Sequence, residues 1–189
     1  MIKRHIVLVA GAAATGKTTF AKAAAAALNL PLLCKDEIKQ IAWNKARWEK
    51  EYLKFNQTNG VMAYEILFYF AEQLMKTQAP FMLESNFRKP AEDTLKALIE
   101  RYQYRAVTVL FDTDISILHK RFLARDQLAE RHPRLKSEGF YKDIEVFKQG
   151  IVEDRAFGIG HIINVNTDDF NTVDYDALIQ KILDFTGEK

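Results

Sequence analysis

The feature that most constrains this chain is the segment 11–18, GAAATGKT, which directly follows the apolar run at residues 6–10. The segment matches the pattern G-x-x-x-x-G-K-[ST] at every fixed position, between an expected strand and an expected helix. Glycines allow backbone angles at which successive N–H groups point inward at phosphate oxygens. A tight turn that holds these residues by chance is the alternative, but glycine supplies only about 7% of an average sequence. The segment therefore predicts a nucleotide-phosphate site.

Each residue type in this loop has a predicted role. Lys17 is expected to reach the β- and γ-phosphates, and the Thr18 hydroxyl is expected to bind Mg²⁺. The alanine-rich run at 17–28 predicts a helix whose positive dipole end points at the same anion. The predicted nucleotide-binding residues of the loop are Gly11, Ala12, Ala13, Ala14, Thr15, Gly16, Lys17, Thr18 and Thr19.

Length and composition indicate an ordinary globular protein and argue against several other classes. With 189 residues, 48% of them hydrophobic, the chain fits one domain over 1–189 that buries its own core. A net charge of +2 lacks the basic excess typical of nucleic-acid binding. Cys34 is the single cysteine and is expected to be a buried, inert thiol in a reducing compartment. With no signal peptide and no apolar run near the roughly 20 residues that span a membrane, we expect a cytoplasmic monomer or homodimer.

Short apolar runs alternate with helical patterns along the chain. Strands are predicted at 5–10, 31–34, 80–84, 105–111 and 161–165, and helices at 17–28, 60–78, 90–101, 115–129, 140–149 and 173–185. This alternation predicts an α/β fold with a parallel sheet and helices on both faces. In such sheets ligands bind beyond the carboxyl ends of the strands, so the residues that follow each strand are the site candidates.

Asp36 follows the second predicted strand, at the point where a helix is expected to begin. One interpretation is a helix N-cap, because aspartate accepts hydrogen bonds from the first N–H groups of a helix. The other is a general base that orients and deprotonates an acceptor hydroxyl, which the neighbouring phosphate loop favours. Both interpretations place the carboxylate at the same edge of the sheet.

The third predicted strand ends in Glu84, Ser85, Asn86, Phe87 and Arg88. A carboxylate that leaves a strand beside a phosphate loop is typical of a Mg²⁺ site, with direct or water-mediated contact. The alternative is a structural salt bridge from Glu84 to Arg88 or Lys39.

Aromatic residues are concentrated between Trp43 and Phe70. The later part has helical spacing and is expected to be mostly core, at positions Val61, Tyr64, Phe68, Ala71 and Met75. The earlier part, 43–55, is interleaved with lysine and arginine and either covers the substrate or packs as core. We therefore expect a substrate-covering helical segment at about 40–78.

Arg121 and Arg125 are four residues apart on a predicted helix, so both side chains project from one face. Two neighbouring guanidinium groups repel each other unless carboxylates or an anion compensate. Asp126 or Glu130 is the structural alternative for that compensation. The functional hypothesis is a lid at about 121–139 that closes over the nucleotide and stabilises the transferred phosphoryl group. The segment 164–169 after the last strand is expected to be a polar turn, with adenine contact as a second possibility.

With these residues placed, the chain resembles the small P-loop phosphotransferases. That group includes polynucleotide 5′-hydroxyl kinases, chloramphenicol phosphotransferase, zeta-toxin kinases and many predicted bacterial kinases. The resemblance extends over nearly the whole chain and rests on the phosphate loop, KDEIK at 35–39, LESN at 83–86, Arg121 with Arg125, and RHP at 131–133. It implies a three-layer P-loop NTPase fold with a five-stranded parallel sheet in the order 2-3-1-4-5, helices on both faces and a lid.

The resemblance also implies a function and the residues that carry it. It makes the chain a Mg²⁺- and ATP-dependent kinase whose acceptor is a hydroxyl of a small molecule or nucleotide, with Lys17, Asp36, Arg121 and Arg125 catalytic. Arg121 is then the residue that stacks on adenine and Arg125 the one that meets phosphate. The implied acceptor site comprises Asp36, Lys39, Asn86 and Arg88, and the metal ligands are Thr18 and Glu84.

Two alternative functions stay open. Polynucleotide kinases carry an arginine three residues after the catalytic aspartate, where this chain has Lys39, which lacks the planar fork of arginine. A polynucleotide acceptor is therefore a weaker hypothesis than a small molecule. A nucleotide-binding regulatory module with slow ATP hydrolysis is the other alternative.

Overall fold

The structure is a computed structural model that describes residues 4–45, 52–131, 135–137, 139 and 141–187. Its strands form one five-stranded sheet in the order β2-β3-β1-β4-β5, and all neighbouring strands are parallel. The bounds are β1 (His5–Gly11), β2 (Leu32–Cys34), β3 (Phe81–Glu84), β4 (Arg105–Asp112) and β5 (His161–Asn166). The predicted sheet, its order and its strands are confirmed, with strand ends that agree to within one residue.

Helices connect the strands and cover the sheet. They are α1 (Lys17–Leu28), α2 (Lys35–Lys45), α3 (Tyr52–Lys76), α4 (Lys89–Tyr102), α5 (Ile115–Gln127), α6 (Ile144–Ile151) and α7 (Tyr175–Thr186). Short 3-10 helices lie at Glu153–Arg155 and Phe170–Thr172. In the described part of the chain, none of the helices combines the length and apolar character that a membrane crossing requires.

The helix predictions were wrong in three places. The helix α2 was not predicted over its full length, and α3 begins at Tyr52, eight residues before the predicted start at Gly60. Gly60 is tolerated inside α3 because a glycine costs a helix interior only about 1 kcal/mol relative to alanine, which is small for a helix of 25 residues that packs on the sheet. The helix α6 begins at Ile144 and not at residue 140, because the Asp143 side chain accepts hydrogen bonds from two backbone N–H groups of the first turn.

The alternating side chains of β1 divide the core into two layers. Ile6, Leu8 and Ala10 pack with residues of α3 and α4 on one face of the sheet. Val7 and Val9 pack with residues of α1 and α7 on the other face. This is the three-layer arrangement expected for a parallel sheet that is covered on both sides.

The helix α3 contributes most of the aromatic stripe to the first layer, as the sequence predicts. Phe68, Ala71 and Met75 are buried, but Val61 is 62% exposed, so the prediction that it belongs to the core is wrong. Trp43 of α2 is buried. Within the predicted substrate-covering part, residues 46–51 with Trp48, and the side chains of residues 52–58, lie outside what the structure describes.

A third apolar cluster lies beside the phosphate loop. It joins Ala12 of the loop to Leu118 and Phe122 of α5 and to Phe147 and Ile151 of α6, with Ala13 and Ala14 packed against it. The start of the predicted lid is therefore attached to the loop through side-chain packing. His132, Pro133, Arg134 and Glu138 of the same segment lie outside the described residues.

Candidate active site

The phosphate loop takes the conformation that its glycines permit. Gly11 has φ +132 and Gly16 has φ +87, both in the region that disfavours a β-carbon. A Cβ on Gly11 would lie 2.2 Å from the Phe111 carbonyl oxygen of the neighbouring strand. Ala14 also has a positive φ, 72, so an alanine stands in a left-handed position that costs about 1–2 kcal/mol.

Lys17 and Glu84 form an ion pair at the base of the loop. The Lys17 Nζ lies 3.5 Å from Glu84 Oε1 and donates to the Ala12 carbonyl oxygen at 3.4 Å, and both side chains are almost fully buried. The alternative prediction, a structural salt bridge from Glu84 to Arg88 or Lys39, is wrong. Because β3 lies next to β1 in the sheet, the Glu84 carboxylate faces the first turn of α1.

A cavity of about 570 Å³ opens beyond the carboxyl ends of the strands, beside this pair. Predicted site residues from four separate segments line it together: Ala13, Ala14, Gly16, Lys17, Thr18, Thr19, Asp36, Glu84, Arg121 and Arg125. The parallel sheet brings these residues to one edge, as expected of strand ends that meet there.

Asp36 lies in the first turn of α2, which begins at Lys35, so the carboxylate is not at the N-cap position. Its side chain is 51% exposed and its Oδ1 lies 3.3 Å from the Lys35 Nζ. Desolvation acts to raise the pKa of Asp36, but the charges of Lys35 and Lys17 outweigh it and lower the pKa below the usual value. The group is therefore an ionised hydrogen-bond acceptor at neutral pH.

Arg121 is held against the segment that follows β5. Its guanidinium donates to the carbonyl oxygens of Thr167 at 2.5 Å and Asp168 at 2.8 Å, and it stacks 3.9 Å from the centre of the Phe170 ring. The Phe170 ring also lies against the phosphate loop, where a Cβ on Gly16 would approach it to 2.9 Å. The structure thus combines an aromatic face and a guanidinium at the mouth of the cavity.

Arg125 lines the cavity, and within the described part of the chain its buried Nε has no hydrogen-bond partner. Burial, and then the charge of Arg131, lower its pKa to about 10. Asp126, the predicted structural partner, instead pairs with Arg131 at 3.3 Å and accepts from the Ser137 N–H at 2.7 Å. Arg125 is therefore a partly desolvated cation positioned to receive an anion.

The predicted acceptor residues separate into two groups. Asn86 lies with Asp36 on a small cavity of about 60 Å³ that continues from the phosphate loop. Lys39 lies one turn after Asp36 on α2. Burial, and then the charge of Lys35, lower the pKa of Lys39 below its usual value. Arg88 is not brought into this cavity, because it binds Asp154 at 2.9 Å and the Gly150 carbonyl oxygen at 2.8 Å.

The oxygen ligands that Mg²⁺ prefers are present on the cavity wall, in the Thr18 hydroxyl and the Glu84 carboxylate. Among the described residues there is no cluster of three or more His, Cys, Asp or Glu that could hold a metal alone. This donor set suits Mg²⁺ that is bound mainly through nucleotide phosphates, with few protein ligands.

Several cavity residues were missed by the sequence analysis. Lys22 and Glu37 form an ion pair of 2.7 Å on the wall, and Gln40, Arg131, Leu135 and Phe170 also line the cavity. Cys34 lines it as well but is buried, as predicted, and burial followed by the charge of Glu84 raises the pKa of its thiol. A phenylalanine after a strand carries no sequence signal for nucleotide binding, so Phe170 could be found only from its position.

The family model described as an AAA domain matches residues 6–145, which include the phosphate loop, Asp36 and the arginines of α5. A protein from Chloroflexus aurantiacus that has been proposed to be a kinase is 25% identical, with a TM-score of 0.80 over 97% of this chain and 96% of that one. No curated protein matches the sequence significantly.

Two further solved structures share the fold at lower identity. A shikimate kinase from Bacteroides thetaiotaomicron is 16% identical, with a TM-score of 0.58 over 96% of this chain and 97% of that one. An APS kinase from Mycobacterium tuberculosis, solved with AMPPNP and APS, is 13% identical, with a TM-score of 0.58 over 98% and 99%. The resemblance to P-loop kinases is confirmed, whereas the closer resemblance to polynucleotide kinases, chloramphenicol phosphotransferase and zeta toxins stays a prediction.

Proposed function

The chain belongs to the AAA-domain family, and from that premise we propose that it is an ATP-dependent kinase whose acceptor is a hydroxyl of a small molecule or nucleotide. One observation carries the proposal. The phosphate loop, the Asp36 carboxylate and the partly desolvated Arg125 line a single cavity of about 570 Å³. A donor site, an acceptor-orienting group and a cation for the moving charge are the parts that phosphoryl transfer requires.

The donor half of the site binds the nucleotide. Loop N–H groups and Lys17 hold the β- and γ-phosphates, and the Arg125 guanidinium, which lines the cavity, meets a phosphate oxygen. The adenine ring stacks at the mouth of the cavity on the face of Arg121 that points away from Phe170, since the guanidinium and the Phe170 ring are already packed 3.9 Å apart. Thr18 and Glu84, the latter directly or through water, would hold Mg²⁺ beside the phosphates, and the ion would supply further charge neutralisation.

The acceptor half orients the hydroxyl group. Asp36 accepts the hydrogen bond of the hydroxyl, whose oxygen bonds to the γ-phosphorus as the bond to the β,γ-bridging oxygen breaks, and the hydroxyl proton passes to the carboxylate. Because Lys35 and Lys17 keep the pKa of Asp36 low against desolvation, the carboxylate is a strong orienting group and a weak base. That combination suits a loose transition state, in which the proton leaves late and positioning dominates.

Closure of the segment 121–139 over the nucleotide would exclude water and suppress hydrolysis of ATP. The packing of α5 and α6 on Ala12 supports this role, since that packing would couple movement of the segment to the phosphate loop. The helical segment at about 40–78 covers the acceptor in the same proposal, with Asn86 contacting it.

The test is transfer from γ-labelled ATP to a panel of sugars, polyols, nucleosides and 5′-hydroxyl oligonucleotides. We expect labelled product with at least one class and none with the Lys17→Ala variant. Release of labelled phosphate alone across the whole panel would contradict the kinase proposal and favour a regulatory nucleotide-binding module. Transfer to oligonucleotides only, with binding that weakens steeply as salt rises, would identify a polynucleotide kinase.

A further inference from the structure

Lys35, the residue before Asp36, has no role in the function proposed so far except through its charge. Its Nζ lies 3.3 Å from Asp36 Oδ1 and donates to Asn86 Oδ1 at 3.0 Å, and it lies 5.2 Å from the centre of the Tyr64 ring. The side chain is only 15% exposed. Burial acts to lower the pKa of Lys35, but the Asp36 carboxylate outweighs it and the pKa is raised, so the group is a cation at neutral pH.

The contacts of Lys35 are themselves fixed by neighbouring elements. Asn86 Oδ1 also accepts from the Tyr64 hydroxyl at 3.3 Å, and that hydroxyl lies 2.9 Å from Ser85 Oγ. The residues come from α2, from α3 and from the end of β3. We call Lys35, Tyr64, Ser85 and Asn86 the Lys35 clamp.

Lys35 makes the one direct contact with the Asp36 carboxylate among the charged groups that face it in the described structure. The others are Lys17 of α1, Lys39 of α2 and Arg125 of α5, which interact with Asp36 through their charge, while Glu84 of β3 lies on the same cavity wall. The Asp36 side chain is half exposed, so without a fixed partner it has room to change rotamer.

We propose that Lys35 is a positioning residue of the transfer reaction: anchored by Asn86 and Tyr64, it holds the Asp36 carboxylate in the orientation that receives the acceptor hydroxyl. This inference rests on the proposed kinase function. An ammonium group has three donors, and the two contacts described here leave a third for an oxygen of the acceptor. The small cavity of about 60 Å³ that Lys35, Asp36, Asn86 and Lys17 line is the place for that oxygen.

A purely structural ion pair is the competing account. It predicts that removal of the Lys35 charge changes stability but not the ratio of turnover to ATP affinity. The positioning account predicts a loss of turnover that spares nucleotide binding, because Lys35 does not line the large cavity that holds the phosphate loop and the arginines.

The first measurement does not depend on catalysis. Carbon-13 NMR of labelled aspartate carboxyl groups gives the pKa of Asp36 in the wild type and in the Lys35→Met, Lys35→Arg and Lys76→Met variants. We expect the pKa to rise by about 1 or more in Lys35→Met, and to stay low in Lys35→Arg and in the exposed-lysine control Lys76→Met. An unchanged pKa in Lys35→Met would overturn the proposal.

The second measurement separates turnover from binding. In Lys35→Met we expect transfer to fall about 10- to 100-fold while the Kd for ATP stays within about twofold, with partial recovery in Lys35→Arg. The acid limb of the pH profile of kcat/KM should also move to higher pH in Lys35→Met. Equal losses of transfer and ATP affinity, or no loss of transfer, would contradict a positioning role.

The two measurements also distinguish failure of this inference from failure of the proposed function. If the wild type transfers phosphate to no acceptor, the kinase proposal fails and a positioning role in transfer fails with it. The NMR result still decides whether the clamp controls Asp36. If the wild type transfers phosphate and Lys35→Met behaves like Lys76→Met, the inference alone is wrong.

Discussion

Removal of the Arg125 charge should stabilise the ligand-free protein and weaken ATP binding at the same time. The perturbation is Arg125→Met, which keeps a flexible side chain of similar reach on α5 and removes the guanidinium. Its buried Nε has no hydrogen-bond partner among the residues that the structure describes, and Arg131 lies close enough to repel the guanidinium. For a base whose pKa falls on folding, the charged form is disfavoured in the folded state, so the cost is present at every pH below about 10.

The size of the effect follows from the pKa. Burial and then the Arg131 charge lower the pKa of Arg125 from the usual arginine value to about 10. A pKa difference of one corresponds to about 1.4 kcal/mol, so the upper limit of the gain is about 3.5 kcal/mol. Solvent screening in the open cavity reduces this to about 1–2 kcal/mol, which for a chain of this size is an increase in Tm of about 2–8 °C.

Nucleotide binding should change in the opposite direction. Charge-assisted hydrogen bonds contribute about 1.5–3 kcal/mol each, so the loss of this phosphate contact should weaken ATP binding about 10- to 100-fold. Urea denaturation of the free protein and calorimetric titration with ATP measure the two effects. Arg101→Met, at an exposed arginine that pairs with Glu72 away from the cavity, should change neither by more than about 0.5 kcal/mol.

Either of two results would refute this reasoning. Destabilisation of the free protein by more than about 1 kcal/mol would mean that Arg125 has a stabilising partner in the fold. ATP affinity equal to that of the wild type would remove Arg125 from the phosphate site.

Three further substitutions test neighbouring features. Lys17→Met should have the opposite effect on stability from Arg125→Met, a loss of about 3 kcal/mol in urea denaturation, because it leaves the buried Glu84 carboxylate without its cation; a gain in stability would contradict the ion pair. Ala14→Gly should stabilise the free protein by about 0.5 kcal/mol, since relief of the left-handed backbone slightly exceeds the added entropy of the unfolded chain, and a loss in thermal denaturation would contradict this. Hydrogen bonds lower the pKa of Asp168 to about 2, so the stabilising effect of its carboxylate is present above pH 4 and disappears as the pH falls towards 2. Asp168→Asn should therefore be less stable than the wild type at pH 7 and equally stable at pH 2. A stability difference that does not change with pH would contradict this prediction.

The sheet was predictable because its determinants are local. Each strand is a short apolar run that ends in glycine, proline or polar residues, and the phosphate-loop pattern fixed where β1 meets α1. The resemblance to P-loop kinases supplied the strand order, which spacing alone does not give. The helix bounds were less predictable, because Gly60 was treated as a boundary although the cost of one glycine inside a long helix is small enough for α3 to continue through it.

The site was predictable where one residue type implies one chemistry and less so where roles depend on pairing. Lys17, Asp36 and Arg125 follow from motifs, and the structure brings them to one cavity. Arg88 pairs with Asp154, which lies 66 residues further along the chain. A pair so far apart in the sequence leaves no local sequence pattern that could predict it. The roles of individual site residues, the oligomeric state and the cytoplasmic location stay predictions.

The role of Lys35 could not be predicted from the sequence for the same reason. It is adjacent to Asp36 in the sequence, yet its importance comes from Asn86, which is 51 residues away. A lysine beside an aspartate on a helix is ordinary, and only the fold shows that its ammonium is buried between the carboxylate and an amide oxygen.

The central claim is that one cavity holds a nucleotide donor site and a separate acceptor-orienting carboxylate. The measurement that tests it most directly is phosphoryl transfer and ATP affinity in the Asp36→Asn variant, with an acceptor that the wild type uses. The account predicts an ATP Kd within about twofold of the wild type and a fall in transfer of at least about 100-fold. Transfer at the wild-type rate would remove Asp36 from the mechanism, and a parallel loss of ATP affinity would contradict the separation of donor and acceptor sites.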